Sequence, residues 1–159
     1  MTSLLAKLRR ASGPDIALAA EAVGALAISA FVVAIIPFRR IAAFAGKAPV
    51  RSAPPPDEQA RLIARVKWAI GAGARRSPWR AMCFEQGLAA QWMLRRRGVP
   101  ATLYYGVAQR PEEGLKAHVW VRVGVAPVVG CGVSAQFAEL ARFPADGARA
   151  AGQSALAAD

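Results

Sequence analysis

From Ile16 to Ile36 the chain is apolar almost without a break, Glu21 being the single charge. A run of about 20 such residues must either be buried or meet lipid. Weakly hydrophobic alanines, Glu21 and basic residues on both flanks (Lys7, Arg9 and Arg10 before, Arg39 and Arg40 after) favour a buried or membrane-surface helix over a true span. Pro37 lacks a backbone donor and is expected to end or kink that helix.

The rest of the chain orders itself around this segment. Lys47 to Pro56 is proline-rich and reads as an extended linker. A second helix is expected after it, because Asp57 and Glu58 suit a helix start and Leu62, Ile63, Val66 and Ile70 recur at helical spacing toward Gly71 and Gly73. Ser77-Pro-Trp-Arg80 interrupts the pattern. A third helix then runs from about Cys83 to Arg97 and stops at Gly98-Val-Pro100.

Past Pro100 the period changes. Ala101 to Val107 is rich in β-branched and aromatic residues, Arg110 to Gly114 is a turn, and Ala117 to Val123 alternates. Ala126 to Val129 follows a glycine turn at Gly124. Helices first and antiparallel strands later give an α+β fold. At 159 residues there is room for one catalytic unit. The expected division is an N-terminal apolar helical segment over 1–46, the linker over 47–56, a core over 57–145 and a flexible tail over 146–159.

Composition removes several functions. A hydrophobic fraction of 55% and a charged fraction of 19% exclude a disordered chain. The net charge of +11 raises nucleic acid as a partner, but the cations are scattered at element ends, where they complement helix dipoles, so no nucleic acid is expected. One histidine and two distant cysteines are too few ligands for zinc, and no phosphate-binding glycine loop is present, so neither metal nor cofactor is expected. No cleavable secretory signal is read at the start, which points to a reducing cytoplasm where Cys83 and Cys131 stay free.

Cys83 falls at a predicted helix start, where unpaired backbone donors and the helix dipole stabilise a thiolate. His118 lies 35 residues on, in a strand pattern, and is a candidate general base. Each also has a plain structural reading: a cysteine is often a small packing residue, and an imidazole beside Val119 and Trp120 can serve only a sheet face.

Three strings, Ser77-Pro-Trp-Arg-Ala-Met-Cys83, Gln91 to Leu103 and Ala117-His-Val-Trp-Val121, together resemble the leader peptidase of lasso-peptide biosynthesis, of the transglutaminase-like cysteine peptidases. Ile36-Pro-Phe-Arg-Arg40 and Leu140-Ala-Arg-Phe143 extend the likeness to residues 16–143. It implies a transglutaminase/papain-like fold, with N-terminal helices packed on a small antiparallel sheet. Cys83 would be the attacking thiolate and His118 its base. The Cys83 amide is a candidate oxyanion donor. The family usually adds an aspartate on the next strand, but no Asp, Glu or Asn lies between His118 and Glu139. The orienting or oxyanion role falls to Gln136 or Glu139, to a backbone carbonyl, to water, or to nothing, leaving a dyad. Cys131 is expected to pack. The implied partners are the precursor's leader, a separate leader-recognition protein and an ATP-dependent macrolactam cyclase, in the cytoplasm with or without membrane association. The alternative is a non-catalytic scaffold or binding module of the same maturation complex.

Overall fold

A computed structural model describes residues 13–46 and 51–144. The 47–50 part of the linker and the tail over 146–159 lie outside these residues. Helix α1, Gly13–Ile35, takes in nearly all of the apolar run. It has Asp15 in its first turn, favourable to the helix dipole, and ends just before Pro37. By length and composition α1 could cross a membrane. In the fold, however, Leu18, Ala22, Ala25 and Leu26 form one buried stripe at helical spacing.

Pro37 does more than end α1. It stands at the N-terminal cap of a short second helix, α2, Phe38–Ala45, which the sequence did not announce. Ile41 and Ala45 are its buried residues. Residues 51–55 carry no helix or strand, and α3 begins at Pro56 and runs to Arg76. Proline suits a first helical position because the missing donor has no intrahelical partner there. Asp57 and Glu58 sit in the first turn of α3 and Arg75 and Arg76 in the last, as the macrodipole favours.

Helix α4, Cys83–Arg95, starts where expected, and the turn that follows it closes at Gly98, whose φ is 78°. Helix α1 packs against α3 and α4. The charge inside the apolar run finds its explanation here. Arg97, just past α4, grips Glu21 with two hydrogen bonds, Nη1 to Oε1 at 3.0 Å and Nη2 to Oε2 at 2.6 Å. That bond, together with the nearby Arg96 charge, outweighs partial burial and holds the Glu21 carboxyl below its ordinary range.

Four antiparallel strands complete the fold: β1, Thr102–Arg110; β2, Gly114–Val123; β3, Ala126–Val129; and β4, Ala138–Phe143. Their order is β3-β2-β1-β4. Strand β4 was not expected from the sequence: Ala-Glu-Leu-Ala-Arg suits a helix by propensity, and pairing with β1 overrides it. A six-residue 3-10 turn, Cys131–Gln136, joins β3 to β4. Leu103, Val119 and Val121 of the sheet meet Leu26, Val66, Ile70, Met93 and Leu94 of the helices in one core. The architecture is α+β, with helices on a small antiparallel sheet.

Candidate active site

Cys83 is the first residue of α4 and is a free, half-buried thiol. Its position follows from local chemistry. Met82 is the extended N-cap, and the Glu85 carboxylate reaches back to accept from the Met82 amide at 3.0 Å, fixing the entry into the helix. The first amide of this turn to find a helical acceptor is that of Gln86, on the Met82 carbonyl. The capping box takes up the amides of Met82 and Glu85, so those of Cys83 and Phe84 form the donor-rich end at the sulfur.

Helix α4 lies on the sheet through Gly87, one turn behind Cys83. A Cβ at Gly87 would stand 2.6 Å from Val119 Cγ1, so only glycine permits this approach. Val119 is the neighbour of His118 in β2. Successive strand residues face opposite sides, so Val119 turns to the helix and His118 turns away from it. No hydrogen bond joins Cys83 Sγ to the His118 imidazole among the described residues.

His118 stands in an aromatic setting. Its ring centroid is 4.9 Å from that of Phe137 and 6.1 Å from that of Trp120, which in turn stacks on Tyr104 at 5.6 Å. Its Nε2 lies 2.7 Å from the Gly130 carbonyl oxygen. A carbonyl only accepts, so Nε2 carries the proton in this contact and the lone pair of the neutral ring is at Nδ1.

Gly130 can make this contact because it is glycine. Its φ of 72° is left-handed, and a Cβ there would meet the Val119 carbonyl at 2.4 Å and His118 Nε2 at 3.3 Å. The residues the sequence offered for the orienting role are engaged elsewhere. Gln136 accepts a hydrogen bond from Arg110, and Glu139 pairs with Arg142 at 2.6 Å. Glu139 and His118 both register with Gly106, from β4 and β2 respectively. Two strand spacings, about 9–10 Å, therefore separate their backbones. Cys131 Sγ lies 3.2 Å from the Val121 carbonyl and 3.4 Å from that of Val129, in keeping with a packing role.

Sequence reasoning named a backbone carbonyl only as one alternative and did not name Gly130. The available signal was Val-Val-Gly-Cys131 itself, a glycine beside the place where an acid was expected. Phe137, the closest ring to His118, was not anticipated at all.

A cysteine-headed helix laid on an antiparallel sheet that carries the one histidine defines a transglutaminase-like chain. The model of the transglutaminase-like superfamily matches residues 25–142, and the chain belongs to that superfamily. Its members are typically cysteine peptidase-like, and some are non-catalytic. No curated protein and no solved structure matches the chain.

Proposed function

We propose that this chain is a cysteine peptidase that removes the leader from a lasso-peptide precursor in the cytoplasm, with Cys83 as nucleophile and His118 as base. The observation that carries the reading is the His118–Gly130 contact, which presents Nδ1 as the free acceptor of the sole imidazole. In a cysteine peptidase that nitrogen takes the thiol proton. The Gly130 carbonyl would then take the orienting role that the resembled family gives to an aspartate, fixing the ring and its tautomer.

The chemistry runs in two displacements. Nδ1 of His118 accepts the Sγ proton as sulfur bonds to the scissile carbonyl carbon, and the carbonyl oxygen takes the negative charge. The Cys83 amide, at the donor-rich end of α4, is the candidate to receive that oxygen. Collapse breaks the peptide C–N bond, and the imidazolium gives its proton to the leaving amine. Water, deprotonated by Nδ1, then attacks the thioester and frees the acid and the thiol. Sγ and Nδ1 must come within about 3–4 Å for this, so the His118 side chain, which turns away from α4, would have to swing toward Cys83.

A separate recognition protein would deliver the leader, and a cyclase would take the freed core peptide. The test is cleavage of a precursor by the full chain together with its recognition protein. Cys83→Ala should abolish cleavage with the fold intact; retained cleavage ends the proposal.

The second reading, a non-catalytic scaffold of the same complex, is favoured by the absence of a Cys83–His118 hydrogen bond. Alkylation by iodoacetamide separates the two. A scaffold's Cys83 reacts no faster than an ordinary thiol at neutral pH, whereas a catalytic one reacts faster and slows in His118→Ala.

A further inference from the structure

A groove of about 500 Å³ lies between α1, α2 and α4, and neither Cys83 nor His118 is among its lining residues. Its walls are apolar, from Ile28 and Val32 of α1, Ile36 just beyond it, Phe44 of α2, and Leu88 and Trp92 of α4. Its size falls in the range of about 300–1,000 Å³ typical of ligand pockets. The charged residues that line it are Arg40, Arg95 and Arg96, and no carboxylate is among the lining residues. Arg95 is committed to the Ala45 carbonyl at 2.7 Å, and burial lowers its pKa. Arg96 lies over the Trp92 ring at 4.5 Å and 3.8 Å from Glu21, whereas Arg40 is exposed and has no such partner among the described residues.

The apolar surface does not stop at the groove. Phe31 and Ile35 continue the Ile28 stripe of α1 at 65% and 59% exposure, and Phe44 of α2, which lines the groove, is exposed as well. Exposed aromatic and aliphatic side chains bordered by Arg39 and Arg40 match the chemistry of an anionic lipid surface, with apolar residues entering the acyl region and cations at the phosphates. The chain's charge of +11 supplies attraction at longer range.

We infer that the α1–α2 face docks on an anionic phospholipid membrane surface, with the groove receiving acyl chain and Arg40 at its mouth receiving the phosphate. Helix α1 then lies along the interface instead of crossing it, because Leu18, Ala22 and Leu26 remain in the protein core. This is independent of the peptidase reading. It localises the chain whether or not Cys83 is catalytic.

The test is co-sedimentation of the full chain with phosphatidylcholine vesicles, with and without one-third phosphatidylglycerol. Binding is expected only with the anionic lipid. Brominated acyl chains should quench tryptophan fluorescence, and Trp92→Phe should remove most of that quenching. Arg40→Gln should weaken binding about fivefold, the worth of one cation at such a surface. Phe31→Ser, at an exposed position that leaves folding intact, should weaken it as well.

Salt-sensitive binding that ignores Phe31→Ser and shows no quenching would mean diffuse attraction by net charge and would overturn the proposal. A dimer broken by Phe31→Ser, with no vesicle binding, would assign the face to a second copy. Resistance to alkaline carbonate extraction from membranes would make α1 a span and equally end it.

Discussion

His118 Nε2 and the carbonyl oxygen of Gly130 are 2.7 Å apart, so a main-chain acceptor holds the imidazole of a chain that has no acid between residues 119 and 138. A carbonyl cannot be removed by mutation, but it can be moved. Gly130→Ala adds a Cβ at 2.4 Å from the Val119 carbonyl and imposes a left-handed φ on alanine. The expected cost is about 1–3 kcal/mol of stability. Precursor cleavage by the fraction that stays folded should fall through kcat with KM little changed. Thermal melting and steady-state kinetics on the same preparation check both.

Cys83 and Cys131 should separate cleanly. Cys83→Ala removes the nucleophile from a half-buried position and should abolish cleavage with a change in stability of about 1 kcal/mol or less. Cys131→Ser keeps a donor for the Val121 and Val129 carbonyls and should retain cleavage. A cleavage assay on both variants decides the matter; activity in Cys83→Ala would defeat the assignment.

His118→Ala should lower cleavage by about 10²–10⁴-fold, the usual worth of a general acid–base group. It should also slow alkylation of Cys83 by iodoacetamide. Equal alkylation rates in the two proteins would show that the thiol and imidazole do not communicate.

The Glu21–Arg97 pair makes stability depend on pH in a definite direction. Because the folded carboxyl titrates below its unfolded value of about 4.3, its contribution is present above that pH and is lost as pH falls through the folded value. Glu21→Gln should cost about 1–3 kcal/mol at neutral pH, since it weakens a two-bond charged contact. Melting curves at descending pH should show wild type and variant converging in acid. A gap that persists there would mean the variant acts through packing.

At Gly87 the helix and the sheet are in contact without a spare ångström. Gly87→Ala would press a methyl against Val119 and should cost about 1–3 kcal/mol. Val119→Ala should recover part of it, and a double-mutant cycle from melting data measures the coupling. Simple additivity would show that α4 does not seat on β2 at this point.

Much of the fold is legible along the chain because it rests on local period and punctuation. The apolar run, the helix headed by Cys83 with its stop at Gly98, and three of the four strands follow from spacing, glycine and proline alone. Strand β4 does not, since Ala138–Phe143 has helical propensity and becomes a strand only because β1 has a free edge. Helix α2 was hidden by Pro37, which reads as a stop and also caps the next start.

The candidate site divides along the same line. Sequence alone narrowed the candidates for reactive chemistry, because one histidine and two cysteines leave few choices, and it set Cys83 at the mouth of a helix. Only the tertiary structure decided that a Gly130 carbonyl holds His118, that Gln136 and Glu139 bind arginines, and that Glu21 belongs to Arg97 across 76 positions. The reason is physical. Backbone acceptors are the same at every residue, and long-range partners are chosen by packing, so neither leaves a mark in the order of the side chains.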